Sequence, residues 1–149
     1  MDSKLHVLIA EDSEDDVFIL QTALRRAGIT NPTQICRNGK EVIDYLKGEG
    51  PYSDREKHPF PRVLFIDLKM PVLTGFDVLR WLKGHPDCGV IPTIVLTSSN
   101  HARDIEEAYR LGANAYLVKP GRLDEFEKLL SLANSFWTAC ALPKLMHKC

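Results

Sequence analysis

The chain has 149 residues, which corresponds to one domain, and a domain of this length can fold without metals or disulfides. Apolar residues make up 44% of the sequence and charged residues 26%, which excludes a mainly disordered or fibrous protein. Lys and Arg number 19 against 20 Asp and Glu, so the net charge of −1 provides no basic excess for binding nucleic acid.

The four cysteines are scattered without a CxxC pair, and the five histidines show no metal-ligand spacing. A reducing cytosol is the simplest expectation, so we predict a cytoplasmic protein. The N-terminal sequence lacks a signal-peptide pattern, and no apolar run approaches the roughly 18 residues of a membrane span. We therefore expect neither nucleic acid nor a membrane among its partners.

Short apolar runs rich in Val and Ile alternate with segments whose apolar residues recur at helical spacing. This alternation predicts five strand–helix units around a parallel sheet. Strands are predicted at residues 5–10, Thr33–Cys36, Val63–Ile66, Ile94–Leu96 and Tyr116–Val118. The first helix is predicted to start at Ser13 and to end near Gly28. The second helix is predicted to bury Val42, Ile43 and Leu46, the third Phe76, Leu79 and Leu82, and the fourth Ile105, Ala108 and Leu111. The fifth helix is predicted over Leu123–Cys140.

Residues 49–62 combine glycine and proline with balanced charges and predict an irregular surface loop. Both a tolerated insertion and a functional loop fit this composition. We expect residues 1–140 to form the single domain and residues 141–149 to form a C-terminal tail, with no attached output domain.

Polar residues follow the predicted strands directly. In an open parallel sheet the functional crevice lies beyond the carboxyl ends of the strands, so these residues form the candidate site. They are Glu11 and Asp12 after the first strand, Asp67 after the third, Thr97, Ser98 and Ser99 after the fourth, and Lys119 with Pro120 after the fifth.

Three carboxylates would meet in one pocket if the first and third strands are neighbours, as right-handed crossovers allow. Two such charges about 4 Å apart repel by roughly 4 kcal/mol at an effective dielectric constant of 20, so the cluster needs a cation. Oxygen ligands without Cys or His favour Mg²⁺ or Mn²⁺, and a site with few carboxylates and space for water suits Mg²⁺. Lys119 would add positive charge and Thr97 a hydroxyl donor, a combination that suits phosphoryl transfer.

Asp67 is the candidate phosphoryl acceptor, because it ends the most apolar strand and precedes a sharp turn. Carboxylates can act as covalent nucleophiles and form aspartyl phosphates. Taken alone, an aspartate that merely caps a turn would be the better explanation. The acceptor role is favoured because the other acidic, hydroxyl and lysine side chains are predicted at the same edge.

These residues resemble the signature of the response-regulator receiver domain (CheY-like) of two-component signalling. The resemblance covers about residues 4–135, and the separation of Asp12 from Asp67 is longer than usual for the family because of residues 49–62. It implies a flavodoxin-like, doubly wound α/β fold with five parallel strands in the order 2-1-3-4-5 and five helices. The matching elements are Glu11–Asp12, Asp67–Pro71 with Gly75, Thr97–Ser98 and Lys119–Pro120.

The resemblance implies that Asp67 receives a phosphoryl group from a phosphohistidine on a histidine kinase or a histidine phosphotransfer protein. Asp12, Asp67 and the backbone carbonyl of Lys69 would coordinate Mg²⁺, with Glu11 nearby or acting through water. The chain would then be a phosphoacceptor with autophosphatase activity rather than an ordinary enzyme.

The resemblance also assigns roles on the other side of the acceptor. Lys119 would pair with the phosphoryl oxygens, and Thr97 would move to hydrogen-bond one of them. Tyr116 matches the aromatic residue that turns inward when Thr97 moves, although a half-buried strand tyrosine explains the position equally well. The bond between Lys119 and Pro120 would be cis, as is common in this family.

Three features resemble a subgroup of stand-alone receivers associated with phytochrome-type light-sensing kinases: residues 49–62, the segment 104–109 and the pair Phe136–Trp137. This subgroup implies a kinase partner of that type and a homodimer formed through the C-terminal helix region. A helix packed on its own sheet with a frayed tail would explain the apolar C-terminal part equally well. The apolar residues concerned are Phe126, Phe136, Trp137, Leu142, Leu145 and Met146.

Other α/β classes fit the sequence less well. A flavodoxin-like cofactor binder needs a phosphate loop after the first strand, where Glu11 and Asp12 would repel phosphate. A phosphatase of the haloacid dehalogenase type needs a second Asp where Lys69 stands, and a P-loop enzyme needs a GxxxxGK[ST] motif that the sequence lacks. The alternative that stays open is a degenerate receiver that acts as a phosphorylation-independent binding module.

Overall fold

Strands and helices alternate along the chain in a computed structural model, which describes residues 6–88, 90–144 and 149. All ten predicted elements are present, with small shifts at their ends. Leu145, Met146 and residue 5 of the predicted first strand lie outside the described residues. The strands are β1 Val7–Ala10, β2 Thr33–Cys36, β3 Val63–Ile66, β4 Thr93–Thr97 and β5 Ala115–Val118. The helices are α1 Glu14–Arg26, α2 Gly39–Lys47, α3 Gly75–Lys83, α4 Ala102–Arg110 and α5 Leu123–Ala139.

The five strands form one parallel sheet in the order β2-β1-β3-β4-β5. β1 lies between two neighbours, with Val7 opposite Thr33 of β2 and opposite Val63 of β3. This arrangement confirms the predicted flavodoxin-like, doubly wound α/β fold with strand order 2-1-3-4-5 and five helices. The strand order reverses at β1, so the crevice at the carboxyl ends of β1 and β3 is where this topology binds ligands.

Helices cover both faces of the sheet, and alternate residues of each strand enter two separate cores. Leu8 of β1 packs in a cluster with residues of α2 and α3, whereas Ile9 packs in a cluster with residues of α1 and α5. Burying an aliphatic side chain of this size contributes about 1.5–3 kcal/mol. Burial on both faces therefore explains why the central strands are almost continuously apolar.

Polar side chains fix where three helices begin, close to the carboxyl ends of the strands. The Ser13 hydroxyl accepts a hydrogen bond from the Asp16 amide at 3.3 Å, so Ser13 caps α1 at the position where the sequence predicts this helix to start. The Asn38 side chain accepts one from the Glu41 amide at 2.9 Å, and Thr74 starts α3 within a capping box. Each cap satisfies an otherwise unpaired amide and contributes about 1 kcal/mol.

The loop formed by residues 49–62 folds back onto the end of α2. The Tyr45 hydroxyl donates a hydrogen bond to the Pro59 carbonyl at 2.9 Å. The Arg55 guanidinium donates one to the Leu46 carbonyl, also at 2.9 Å. Arg55 thereby satisfies one of the carbonyls that lack an intrahelical partner at a helix end. The loop is thus packed against the domain by specific polar contacts.

The described residues contain no cis peptide bond, so the expected cis bond between Lys119 and Pro120 is wrong. That bond has the trans form, which most X–Pro bonds take.

Among the described helices, none combines the length and apolar character needed to cross a bilayer.

Gly75, the first residue of α3, allows this helix to start directly against the end of β3. A Cβ atom at Gly75 would lie 2.3 Å from the carbonyl oxygen of Asp67 and 2.8 Å from the Cα atom of Leu68. Because both atoms belong to the backbone, Gly75→Ala must displace α3 or the Asp67 segment. We expect the free energy of unfolding, measured by urea denaturation, to fall by about 1–3 kcal/mol.

Gly84→Ala is the matched control for this prediction. A Cβ atom at Gly84 would lie 3.6 Å from the Trp81 carbonyl oxygen, an ordinary contact. We expect little change in this variant. An equal loss of stability in both variants would contradict the steric explanation.

Candidate functional site

Four polar side chains lie side by side at the carboxyl edge of the sheet. Glu11 follows β1, Asp67 follows β3, Thr97 ends β4 and Lys119 follows β5. Backbone hydrogen bonds extend the strand pairing to these residues. The Asp67 amide donates to the Ala10 carbonyl at 3.0 Å, and the Lys119 amide donates to the Thr97 carbonyl at 2.7 Å. The sheet thus brings together side chains that the sequence predicts at one edge.

Asp67 lies at the centre of the site, and both of its carboxylate oxygens accept hydrogen bonds. The Thr97 hydroxyl donates to Oδ1 at 2.7 Å, and the Lys69 amide donates to the same oxygen at 3.3 Å. The Lys119 ammonium donates to Oδ2 at 3.2 Å. The residue is only 7% exposed, and these three hydrogen bonds hold its carboxylate in one orientation.

Lys119 is the cation of the site. Its ammonium group hydrogen-bonds Glu11, and it lies 3.3 Å from a carboxylate oxygen of Asp16 and 3.2 Å from one of Asp67. Burial alone would lower the pKa of Lys119, but the hydrogen bond with Glu11 and the charges of Asp67 and Glu11 outweigh it and raise the pKa. Lys119 therefore stays charged and holds three carboxylates together.

The two buried carboxyl groups differ in their affinity for a proton. Burial raises the pKa of Glu11 to about 7, with a further contribution from the charge of Asp67. Burial would also raise the pKa of Asp67, but Lys119 and the hydrogen bond from Thr97 outweigh it and keep the pKa below its ordinary value. Asp67 is therefore the carboxyl group that remains ionised, as a nucleophile must be.

Asp12 adds a third carboxylate on the solvent side of the site. One carboxylate oxygen from each of Glu11, Asp12 and Asp67 lies within 4.8 Å of the other two. Asp12 is exposed whereas the other two are buried, so the cluster opens toward solvent. Three hard oxygen donors with an open side fit a divalent cation of the Mg²⁺ or Mn²⁺ type that keeps some of its water ligands.

Tyr116 connects β5 to the loop that follows β4. Its hydroxyl donates a hydrogen bond to the Ser99 carbonyl at 2.9 Å, and its amide donates to the Tyr109 hydroxyl at 3.1 Å. The Ser99 hydroxyl donates to Asp104 of α4 at 2.6 Å. Because Thr97 lies two residues before Ser99, these bonds link the end of β4 to α4 and to β5.

The sequence pattern does not predict Asp16 or the pairing of Ser99 with Asp104. Asp16 has a signal in retrospect, since it lies four residues after Asp12 in the first turn of α1, which brings it back toward the same edge. The contact between Ser99 and Asp104 depends on the path of the loop between them, which apolar periodicity does not specify.

Residues 7–131 match the response regulator receiver domain. The chain belongs to this family. It is 34% identical over 131 residues to the response regulator Rcp1 of Synechocystis sp., a match that covers 88% of this chain and 87% of Rcp1. The predicted receiver family is thereby confirmed.

Solved structures of response regulators match nearly the whole chain. The response regulator RPA3017, in red light signaling of R. palustris, superposes with a TM-score of 0.90 at 34% identity and covers 94% of this chain and 99% of its own. The phosphorylated cyanobacterial phytochrome response regulator RcpA has a TM-score of 0.86 at 28% identity, with coverages of 95% and 100%. The Mn²⁺-bound form of Rcp1 has a TM-score of 0.81 at 33% identity, with coverages of 93% and 99%. These matches confirm the predicted similarity to phytochrome response regulators.

Removal of the Lys119 charge tests whether this residue balances the buried carboxylates. In Lys119→Met, Glu11 and Asp67 would face each other without a cation, so we expect the free energy of unfolding to fall by about 3–5 kcal/mol. Added Mg²⁺ should restore part of this loss, because it supplies the missing positive charge. Urea denaturation with Mg²⁺ and with EDTA measures both effects.

Lys69→Met provides the control, since this lysine is exposed at the same edge. We expect it to change stability by less than about 0.5 kcal/mol. A Lys119→Met variant as stable as the Lys69→Met variant in EDTA would contradict the proposed charge balance.

Proposed function

We propose that the chain is a single-domain response regulator in which Asp67 accepts a phosphoryl group from a histidine kinase or a histidine phosphotransfer protein. The observation that carries this proposal is the environment of Asp67. The Asp67 side chain is an ionised, nearly buried carboxylate whose two oxygens contact Thr97 and Lys119. Membership in the receiver family supports the same assignment.

The transfer exchanges one bond to phosphorus for another. An oxygen of the Asp67 carboxylate attacks the phosphorus atom, the bond between phosphorus and the donor imidazole breaks, and an aspartyl phosphate forms. The imidazole nitrogen keeps the electron pair of the broken bond. Lys119 then pairs with the phosphoryl oxygens, and the Thr97 hydroxyl donates to one of them. Attack by water on the aspartyl phosphate returns Asp67 and releases phosphate, which constitutes autophosphatase activity.

We propose that the carboxylate cluster binds Mg²⁺. Asp12, Asp67 and the backbone carbonyl of Lys69 would hold the ion, and Glu11 would act nearby or through a water molecule. Bound Mg²⁺ supplies positive charge that offsets the carboxylates and the phosphoryl oxygens. The open side at Asp12 and the Mn²⁺-bound form of the related Rcp1 both support a divalent ion at this position.

The phosphorylated state would be transmitted through Thr97 and Tyr116. In the present structure Thr97 donates to Asp67, and Tyr116 donates to the Ser99 carbonyl. If Thr97 turns toward the phosphoryl group, the segment that carries Ser99 must follow, and Tyr116 loses its present partner. The surface of α4 and β5 would then change shape, which converts the charge event into a binding signal.

A phytochrome-type photoreceptor kinase is the partner that the relatives favour. RPA3017 takes part in red light signaling, and RcpA is a phytochrome response regulator. Phosphotransfer profiling against purified histidine kinases of both light-sensing and other types tests this proposal.

The cytoplasmic location and the division into residues 1–140 and 141–149 stay predictions.

Mass spectrometry tests the acceptor directly. After incubation with acetyl phosphate and Mg²⁺, the wild-type chain should gain about 80 Da, whereas Asp67→Asn should gain nothing. Asp15→Asn is the control, because Asp15 is an exposed aspartate in the first turn of α1 and should leave the addition unchanged. Absence of the addition in the wild type, or its persistence in Asp67→Asn, would favour the degenerate receiver that binds partners without phosphorylation.

A homodimer formed through the C-terminal helix region is the second proposed partner. Apolar side chains remain exposed there, with Leu132 70% and Phe136 62% exposed on α5 and Val118 40% exposed on β5. The double variant Leu132→Glu/Phe136→Glu should raise the dimer dissociation constant at least about 10-fold, measured by light scattering over a concentration series.

Phe18→Glu is the matched control for the dimer. Phe18 is an equally exposed aromatic residue, but it lies on α1. We expect this variant to associate like the wild type. A wild-type chain that stays monomeric with and without a phosphoryl mimic would overturn the dimer proposal.

A further inference from the structure

Cys88 and Cys149 are paired in a disulfide although 61 positions separate them in the sequence. Their Cα atoms are 5.4 Å apart, within the range of about 4.4–6.8 Å that a disulfide requires. The scattered cysteines of the sequence give no indication of this pairing. We propose that Cys88 and Cys149 form a redox-controlled clasp that fixes the terminal segment, residues 141–144 with Cys149, across the amino edge of the sheet.

The path of the terminal segment shows what the clasp would hold. Residues 142–144 line a small cavity together with residues 60–62 and 90–92, which precede β3 and β4. Cys149 packs against the core cluster of α2 and α3, whereas α5 packs on the opposite face of the sheet. Residues 142–144 therefore lie at the amino ends of two central strands, and Cys149 lies on the face of the sheet opposite α5.

Cys149 occupies a position that the loop of residues 49–62 helps to form. Its amide donates a hydrogen bond to the Leu46 carbonyl at 3.0 Å. The same carbonyl accepts the hydrogen bond from Arg55 of the loop at 2.9 Å. The end of α2, the loop and the terminal segment thus meet at one carbonyl group. This contact gives the long loop a specific role, which its composition alone leaves open.

Cys88 is held rigidly on the other side of the clasp. It is 0% exposed, its amide donates to the His85 carbonyl at 2.9 Å, and its carbonyl accepts from the Ile91 amide at 3.1 Å. Cys149 is only partly buried. Because reactivity toward an oxidant requires access, Cys149 would react first and Cys88 second.

The redox step requires a small disulfide, such as oxidised glutathione, as the oxidant. The Cys149 thiolate attacks one sulfur of this disulfide, so that a mixed disulfide forms and one glutathione thiolate leaves. The Cys88 thiolate then attacks the Cys149 sulfur and expels the second glutathione. Two protein thiols are thereby oxidised, and they lose two protons while the small disulfide is reduced to two thiols.

The two remaining cysteines differ from this pair. Cys36 and Cys140 carry free thiols. Burial raises the pKa of Cys36 to about 12, so its thiolate is scarce at neutral pH. Cys140 is partly buried at the end of α5, which makes it the appropriate control for nonspecific oxidation.

Thiol counting and thermal unfolding test the clasp. The full chain is equilibrated with oxidised glutathione or with a reducing agent, denatured, and labelled with N-ethylmaleimide. We expect the oxidised chain to take two labels and the reduced chain to take four. Oxidation should raise the melting temperature by about 5–10 °C, because the disulfide closes a long loop.

Two cysteine variants locate the effect. Cys149→Ser should lose the shift in melting temperature on oxidation, whereas Cys140→Ser should keep it. Four labels on the oxidised wild type, a disulfide found only between two chains on a non-reducing gel, or an equal shift in Cys149→Ser would overturn the proposal. An intramolecular disulfide that leaves the melting temperature unchanged would also overturn it, since the segment would not be stabilised.

The clasp is independent of the proposed phosphorylation, because it lies at the opposite edge of the sheet from Asp67. Phosphoryl addition measured on the oxidised and reduced samples should therefore be equal. If neither sample gains a phosphoryl group, the acceptor role of Asp67 is contradicted. The clasp would still be supported by the number of N-ethylmaleimide labels and by the melting temperatures. Addition that depends on the redox state would contradict the independence of the two edges.

Discussion

The contact of one ammonium group with three carboxylates is the interaction on which the buried polar site of this receiver domain depends. Lys119 reaches Glu11, Asp16 and Asp67, so negative charge can be buried at the edge of an apolar sheet. Without a cation at this position, the two buried carboxylates would repel each other by several kcal/mol or take up a proton. The same positive charge then faces any anion that enters the crevice. Stability and the proposed phosphoryl chemistry therefore depend on the same interaction.

The parallel sheet makes this interaction possible, because it ends four neighbouring strands at one edge. Backbone pairing extends one residue beyond the strands, so the side chains of Asp67 and Lys119 are fixed by the ladder and not by flexible loops. Close packing beside Asp67 depends on Gly75, whose missing Cβ leaves room for the Asp67 carbonyl. A site built on strand ends in this way is precise, whereas its openness at Asp12 still admits a ligand.

The sequence predicts most of this architecture, for physical reasons that also explain its omissions. Strands buried on both faces must be apolar, so β3 can be located from the sequence to the residue, and the polar residue after it stands out. The order of the strands came from resemblance, because periodicity does not encode which strands pair. Asp16, the Ser99–Asp104 contact and the Cys88–Cys149 pair depend on distant segments meeting, and the trans bond before Pro120 depends on local geometry.

Lys119 cannot serve Glu11 and a phosphoryl group equally at the same time. In the present structure Lys119 donates a hydrogen bond to Glu11, and burial raises the pKa of Glu11 to about 7. A cation bound by the carboxylate cluster would weaken the electrostatic attraction between Glu11 and Lys119. An anion beside Asp67 would attract the Lys119 ammonium away from Glu11. Both changes act in the same direction. The pairing of Lys119 with Glu11 thus describes the site without a bound cation or anion.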